Sequence, residues 1–387
     1  MTRYLADHLI AMDGEPAVVE QGAVDVEDGR VAWSGPAEEA PPYDGATERL
    51  SGLLIPGLVN THSHTPMVLL RGAGEGLPVG RWLTEVMWPR EGRLTPEDVW
   101  WGMTLGAAEL LTNGITTTHE MYFFSRSVAE AVEAAGIRTV LTPPILTGDA
   151  LARFGTWEEQ LEEMVSLADD YARHRSITVG MGPHSAYAVP EEPLRAVVET
   201  ARTSGMHVHI HVAEARDEGD AITERTGMTV PRYLESLGMF EARVVAAHGV
   251  WLTGDDISLL ARHEVGVAHC PMSNGKHASG MAPVAEMRAA GIPVAFATDG
   301  PSSHDRLDLF EEMRAGLRLA RLRAGDAAAM GPADALAMAT REAGRALGRD
   351  DLGHLGAGAR ADMVLIDTGA LGPVVEPADV LTHLVYS

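Results

Sequence analysis

Residues 55–72 read IPGLVNTHSHTPMVLLRG. An apolar run that begins at Leu53 passes straight into His62-Ser63-His64 and turns at Thr65-Pro66. A continuous apolar strand is one buried on both faces, which is the habit of a parallel sheet. Side chains alternate along a strand, so residues 62 and 64 share a face. A buried strand ending in two imidazoles on one face can grip a single ion between them.

The same kind of strand recurs downstream. "ITTTHEMY", "RTVLTPPIL", "ITVGMGPHS", "MHVHIHVAEA", "RVVAAHGVWL", "VGVAHCPMSN" and "PVAFATDG" are each apolar, rich in β-branched residues and tipped with polar ones. Between them lie helical patterns such as Thr95 to Asn113, Trp157 to Arg175 and Leu307 to Arg323. Thr95-Pro96-Glu97-Asp98 offers an N-cap, a proline in the first turn and an acid to close a capping box, and Gly114 is a stop. Counting from Leu53, the alternation predicts an α/β fold, a (β/α)₈ TIM-like barrel whose active residues sit at the C-terminal ends of its strands. Residues 1–52 and 349–387 read as glycine turns and short strands. They predict a small flanking β-sandwich built from both chain ends, around a barrel spanning 53–348.

Composition narrows the functions. The chain has 387 residues, 45% of them hydrophobic and 22% charged, as in a globular enzyme with a large core. A net charge of −25 argues against a nucleic-acid or anionic-membrane partner. One cysteine, Cys270, permits no intramolecular disulfide and suggests a reducing, cytoplasmic setting. The N-terminal stretch MTRYLADHLIAMDGEP is broken by Asp7 and His8 and does not read as a signal peptide.

The strand tips form a constellation. The first strand ends in His62 and His64; the fifth carries His207, His209 and His211 on one face, with Glu214 just beyond; the sixth supplies His248; the eighth supplies Asp299. Nitrogen and carboxylate ligands suit a borderline divalent cation, zinc first, with iron or manganese as alternatives. Such an ion lowers the pKa of a bound water toward about 7, and Glu214 is near enough to shuttle a proton.

The motifs "PGLVNTHSHTPMVLLRG", "GPHSAY", "HVAEA", "AHGVWL", "CPMSNGKHASGMAPV" and "ATDGPSSHDRLDLFEEMR" resemble the amidohydrolase superfamily, in its cytosine-deaminase-like branch of methylthioadenosine/S-adenosylhomocysteine deaminases and chlorohydrolases. The resemblance covers residues 50–385. It implies that His62, His64, His211 and Asp299 ligate one metal ion, that Glu214 is the proton shuttle to a ring nitrogen, and that His248 orients and stabilises the attacking hydroxide. Asp299 counts as a catalytic residue as well as a ligand. Two-metal relatives bridge their ions with a carboxylated lysine. Here the fourth strand ends at His184, and the single lysine, Lys276, follows the seventh, so one metal is expected.

The resemblance also implies a substrate. Glu91, in "WPREGRLT", matches a ribose-binding glutamate, and His184 matches a purine-contacting histidine. The expected reaction is hydrolysis of a C–N bond in a cyclic amidine, deaminating an adenine nucleoside at C6 with release of ammonia. Adenosine, 5′-deoxyadenosine, methylthioadenosine and S-adenosylhomocysteine are the candidates. Two departures bear on that choice. Pro143 stands where S-adenosylhomocysteine-using relatives place an arginine, with Arg153 nearby to compensate. His119 and Glu120 stand where an aspartate is usual. The alternatives are an aminohydrolase or chlorohydrolase of another heterocycle (guanine, 8-oxoguanine, pterin or triazine) and an inactive metal-binding homologue. The partner expected is a small aminated heterocycle or nucleoside, with no nucleic acid and no membrane; homo-oligomerisation is left open.

Overall fold

The computed structural model describes residues 1–371 and 377–387. The chain first lays down four strands, β1 (Thr2–Leu9), β2 (Val19–Glu27), β3 (Arg30–Pro36) and β4 (Ala46–Pro56). After Gly57 it enters the barrel as β5 (Leu58–Ser63), every residue of which is buried. There follow β6 (Ile115–Glu120) and β7 (Arg138–Leu141), the latter continued by the two-residue β8 (Pro144–Ile145). Next come β9 (Ile177–Val179), continued by β10 (Gly182–Pro183), then β11 (Val208–Val212), β12 (Val244–His248), β13 (Gly266–His269) and β14 (Val294–Phe296).

Neighbours in the barrel pair in parallel. β5-β6-β7-β9 form one ladder set and β11-β12-β13-β14 the other. Bridges at Met181–Val208 and Ser185–His211 join the halves on one side, and Ser63–Asp299 joins them on the other. That second seam is stitched by buried side chains. Asn60 donates through Nδ2 to Thr298 Oγ1 at 2.7 Å and accepts the Thr298 amide at 3.0 Å. The Thr61 hydroxyl donates to the Phe296 carbonyl at 3.0 Å. Closure thus sets the tip of β5 beside the residues that follow β14. Below the tips the lumen is filled by small residues including Val59, Val140, Ala268 and Ala295. Helix Arg341–Ala346 packs its Ala343 and Ala346 under them.

The helix read from Thr95 to Asn113 runs Pro96–Thr112, with both bonds of its capping box formed between Thr95 and Asp98. Gly114 turns the chain at φ +77° into β6.

In the flanking structure the described residues form one five-stranded mixed sheet, ordered β15-β4-β1-β2-β3, with β15 (Met363–Ile366) antiparallel to β4. Among the described residues the C-terminal segment contributes one strand to it, and its Leu355 and Ala359 pack with Leu9, Val24 and Leu54 of the sheet. We propose residues 1–52 and 349–387 as the small domain and 53–348 as the barrel. Two elements straddle that division: β4 reaches Pro56, and helix Pro377–Tyr386 bonds to a barrel helix through Arg321 and the Tyr386 hydroxyl, 3.1 Å apart. Among the described residues no helix is long and apolar enough to cross a membrane.

One glycine is needed for the strand approach that positions the fourth tip. A Cβ on Gly182 would lie 2.5 Å from the backbone oxygens of both Thr142 and Pro143. Backbone cannot swing aside, so Gly182→Ala forces β10 away from β8. The expected loss is about 1–3 kcal/mol of stability; urea unfolding indistinguishable from the parent overturns it.

Candidate metal centre and substrate cleft

Each ligand candidate sits at a strand tip. His62 is the fifth residue of β5, and His64 follows that strand directly. His211 is on β11, His248 ends β12, and Asp299 lies three residues past β14. The Nε2 atoms of His62 and His64 lie 3.2 and 3.4 Å from Asp299 Oδ1, and His64 Nε2 lies 3.3 Å from His211 Nε2. Two overlapping sets, His62/His64/Asp299 and His62/His211/His248, bring their ligand atoms within 4.8 Å of one another.

The outer atoms of these groups are all engaged. His64 Nδ1 faces the Met121 carbonyl at 2.7 Å, and His211 Nδ1 faces the His184 carbonyl at 2.7 Å. A carbonyl only accepts, so both Nδ1 atoms carry hydrogen and both Nε2 atoms present lone pairs to each other. Burial keeps these imidazoles neutral, lowering His64 and His211 below the ordinary histidine range and His62 to about 4. Facing lone pairs at such a distance repel unless a cation lies between them. His62 Nε2 and His248 Nε2 are buried with no hydrogen-bond partner. The donor set therefore fits a divalent ion bound by nitrogen and carboxylate.

Asp299 is prepared in the same way. Its Oδ2 accepts from Ser273 at 2.6 Å and Ser303 at 2.8 Å, leaving Oδ1 for the centre. Burial pushes its carboxyl up, but the close contact with His62 and the other nearby histidines outweigh that and hold it well below the usual range. His248 and Asp299 adopt left-handed backbone, φ +74° and +56°, as does Ala213 at +51°. Such conformations are uncommon away from glycine and are retained where a site over-determines them.

Beside the centre, Glu214 Oε1 is 3.7 Å from His248 Nε2. Burial, then the charges of Asp299 and Asp217, raise Glu214 to about 8. Its amide is held at 2.8 Å by Glu218, itself raised to about 8 by burial. His248 Nδ1 is anchored on Asn274 Oδ1 at 3.0 Å.

A cleft opens above these groups. Glu91 and His184 both line it, with Trp88, Tyr122 and Tyr187. The Tyr122 and Tyr187 hydroxyls are buried without partners. Burial raises Glu91 to about 7 and lowers His184 to about 3. Pro144 lines this cleft, whereas Pro143 lines an adjoining pocket together with Arg153. Arg153 donates to the Gly92 carbonyl at 3.1 Å and lies over the rings of Phe124 and Phe154.

Several sequence candidates separate from the centre. His209 and His119 are fully buried beneath it, and His207 meets His119 rather than the cleft. Glu120 accepts the Thr65 amide at 2.7 Å and so fixes the turn after His64. Lys276 reaches Asp305 at 2.6 Å and Glu75 at 3.4 Å, at the rim. Asn274, Ser273, Ser303 and the two tyrosines were not singled out in the sequence, although Asn274 and Ser273 lie inside the "CPMSNGK" stretch and Ser303 inside "DGPSSHD".

Residues 53–387 match the amidohydrolase family. A 5-methylthioadenosine/S-adenosylhomocysteine deaminase from Symbiobacterium thermophilum is 40% identical, over 98% of this chain and 88% of its own. A 5′-deoxyadenosine deaminase from Methanothermobacter thermautotrophicus is 37% identical, over 95% and 86%. The crystal structure of an adenosine deaminase from Xanthomonas campestris with bound zinc superposes with a TM-score of 0.94 at 33% identity, covering 100% of this chain and 89% of that one.

The buried groups set a pH dependence for the metal-free chain. Glu120, Glu214 and Glu218 near 8, and Glu91 near 7, keep protons when folded that they lose near 4.5 when unfolded. Their contribution is complete below about pH 4.5 and is lost as pH rises through 7 to 8. The lowered histidines act oppositely, contributing above about pH 6.5 and losing that contribution on acidification. Above about pH 7.5 the histidine contribution is nearly constant and the carboxyls dominate the change, so the thermal midpoint of the metal-free chain is expected to fall between about pH 7.5 and 8.5. Glu214→Gln should flatten part of the slope. A midpoint that holds steady or rises over that interval contradicts this.

Proposed function

Because the chain belongs to the amidohydrolase family, we propose that it is a metal-dependent aminohydrolase that deaminates an adenine nucleoside at C6. One molecule of water enters and one of ammonia leaves, giving the inosine-type product. The observation that carries the reading is the convergence of the His62 and His64 Nε2 atoms on Asp299 Oδ1, with His211 Nε2 against His64, Glu214 and His248 beside them and a cleft above.

In this reading His62, His64, His211 and Asp299 hold one divalent ion, zinc by preference of the donor set and by likeness to the zinc-bound relative. When bound, that ion supplies Lewis-acid activation of water near neutral pH. Glu214 then has two duties. Its raised pKa lets it carry a proton to the ring nitrogen next to C6, and the carboxylate so formed accepts one from water. His248 is anchored through Nδ1 by Asn274, which leaves Nε2 as an acceptor beside Glu214 to orient the attacking oxygen. Glu91 and Tyr122 are placed to bind ribose hydroxyls, and His184 contacts the purine across from Trp88, whose ring centroid lies 6.2 Å away.

Two measurements test the reaction. Chelation is expected to abolish ammonia release and added zinc to restore it; active protein free of divalent metal sinks the proposal. Glu214→Gln should keep its metal while turnover falls by about 10²–10⁴-fold, because an amide cannot carry the proton. Near-normal turnover in that variant removes Glu214 from the shuttle.

Specificity follows from the cleft wall. Pro144 offers neither charge nor donor, and Arg153 is committed to Gly92 and two aromatic faces in the neighbouring pocket. Adenosine, 5′-deoxyadenosine or methylthioadenosine should therefore have higher kcat/KM than S-adenosylhomocysteine. A missing charge-assisted bond of about 1.5–3 kcal/mol corresponds to roughly tenfold to a hundredfold. If S-adenosylhomocysteine comes out best, the carboxylate is bound by Arg153 or another group and this reading of the wall fails.

A further inference from the structure

Four imidazoles, His62, His209, His119 and His207, run inward from the strand tips, and the mechanism above uses only the first. Burying an imidazole away from solvent is costly unless its polar atoms are satisfied. A core position that needed only volume would take leucine or methionine. The bonding pattern of these rings is directional and can be worked out from its fixed end.

Glu120 O is a backbone carbonyl and only accepts, so the Thr142 hydroxyl, 3.1 Å away, donates to it. Thr142 Oγ1 is then left as acceptor for the His209 Nδ1 hydrogen at 2.9 Å. With its hydrogen on Nδ1, neutral His209 presents a lone pair at Nε2, which lies 2.8 Å from His62 Nδ1. His62 therefore carries its hydrogen on Nδ1, and its Nε2 lone pair faces Asp299 and the centre. The opposite tautomer of His209 would set two hydrogens against each other at that short contact unless His62 moved its own hydrogen to Nε2, where it would cover the lone pair that faces the centre. His64 and His211 reach the same state directly, by donating to backbone carbonyls. His62 instead uses an imidazole and a hydroxyl to reach the Glu120 carbonyl. His119 stacks on the His209 ring with centroids 3.8 Å apart and planes inclined by 21°, and is itself tied to the Thr61 carbonyl at 3.1 Å. The plane of His209 is thereby fixed as well as its tautomer.

We propose that His209, through Thr142, is a positioning residue for the metal site: it accepts the Nδ1 hydrogen of His62 and so keeps the His62 Nε2 lone pair aimed at the ion. This rests on the reading of His62 as a ligand. It goes further in assigning the fifth strand two separate tasks, ligation by His211 and orientation of the first-strand ligand by His209. Partners of this kind typically change metal affinity by about 10–100-fold.

The test uses the full-length chain stripped of metal and titrated with Zn²⁺ alone against a chromophoric chelator, alongside the thermal midpoint of each metal-free variant. His209→Phe keeps a flat ring under His119 but has no acceptor, and should weaken zinc binding by about 10–100-fold. His209→Gln places an amide oxygen where Nε2 stood and should retain most of the affinity, a rescue that a purely space-filling role would not show. Thr142→Val removes the acceptor that sets the tautomer and should weaken zinc binding in the same direction; it takes the place of His209→Phe should that variant fail to fold. The inference is overturned if His209→Phe or Thr142→Val binds zinc as tightly as the parent, or if Gln and Phe at position 209 lose affinity equally. A parent chain that binds no zinc would instead sink the metal reading itself, so the two failures are distinguishable.

Discussion

A closed barrel has to join its last strand to its first, and here the candidate site depends on how that seam is made. The join between β5 and β14 is a single bridge at Ser63–Asp299, with the Asp299 amide on the His62 carbonyl at 3.1 Å. Asn60, Thr61 and Thr298 supply the rest with side chains. Side-chain bonds fix the stagger of two strands at one level, whereas a long regular ladder would fix it along their whole length. The level chosen is the one that places Asp299 Oδ1 against both imidazoles of the His-x-His pair. The acid and its two histidines are more than 200 residues apart in the chain, and the seam makes them neighbours.

The second constraint is dryness. Burial penalises the charged form here, so the His62, His64 and His211 imidazoles are held neutral and the Glu91, Glu120, Glu214 and Glu218 carboxyls are pushed toward the protonated form. Asp299 is the exception, because its histidine neighbours compensate it. The result is a pocket rich in lone pairs with one settled negative charge at its focus. That distribution favours a cation at the focus and leaves Glu214, at its edge, poised to gain or lose a proton near neutrality.

Much of this was legible in the sequence because strand alternation and strand-end placement are local. The His62–His64 pair, the capped helix after Thr95 and the parallel alternation follow from spacing alone. The limits were equally physical. Alternation puts His207, His209 and His211 on one face, but it says nothing of depth along the barrel axis, and each ring ends in a different environment. Pro144, and not the Pro143 singled out by a linear reading, lines the candidate cleft. Asn274, Ser273 and Ser303 act on distant ligands and leave no periodic trace.

The rim has a chemical consequence of its own. Lys276 is the one lysine in the sequence, and its amine is held between Asp305 and Glu75 with 12% of the side chain exposed. The remaining positive side chains are guanidiniums, which mild acylating reagents leave alone. Apart from the chain's α-amine, an amine-selective tag therefore has a single address on this molecule, and it lies at the end of helix Pro271–Lys276, between the loops that carry Glu75 and Asp305. Acylation there removes the cation from between two carboxylates, so the extent of labelling would report how often those loops part. The same scarcity gives a lysine-specific protease one scissile bond, 276–277, with the candidate ligands His62, His64 and His211 on one side of it and Asp299 on the other.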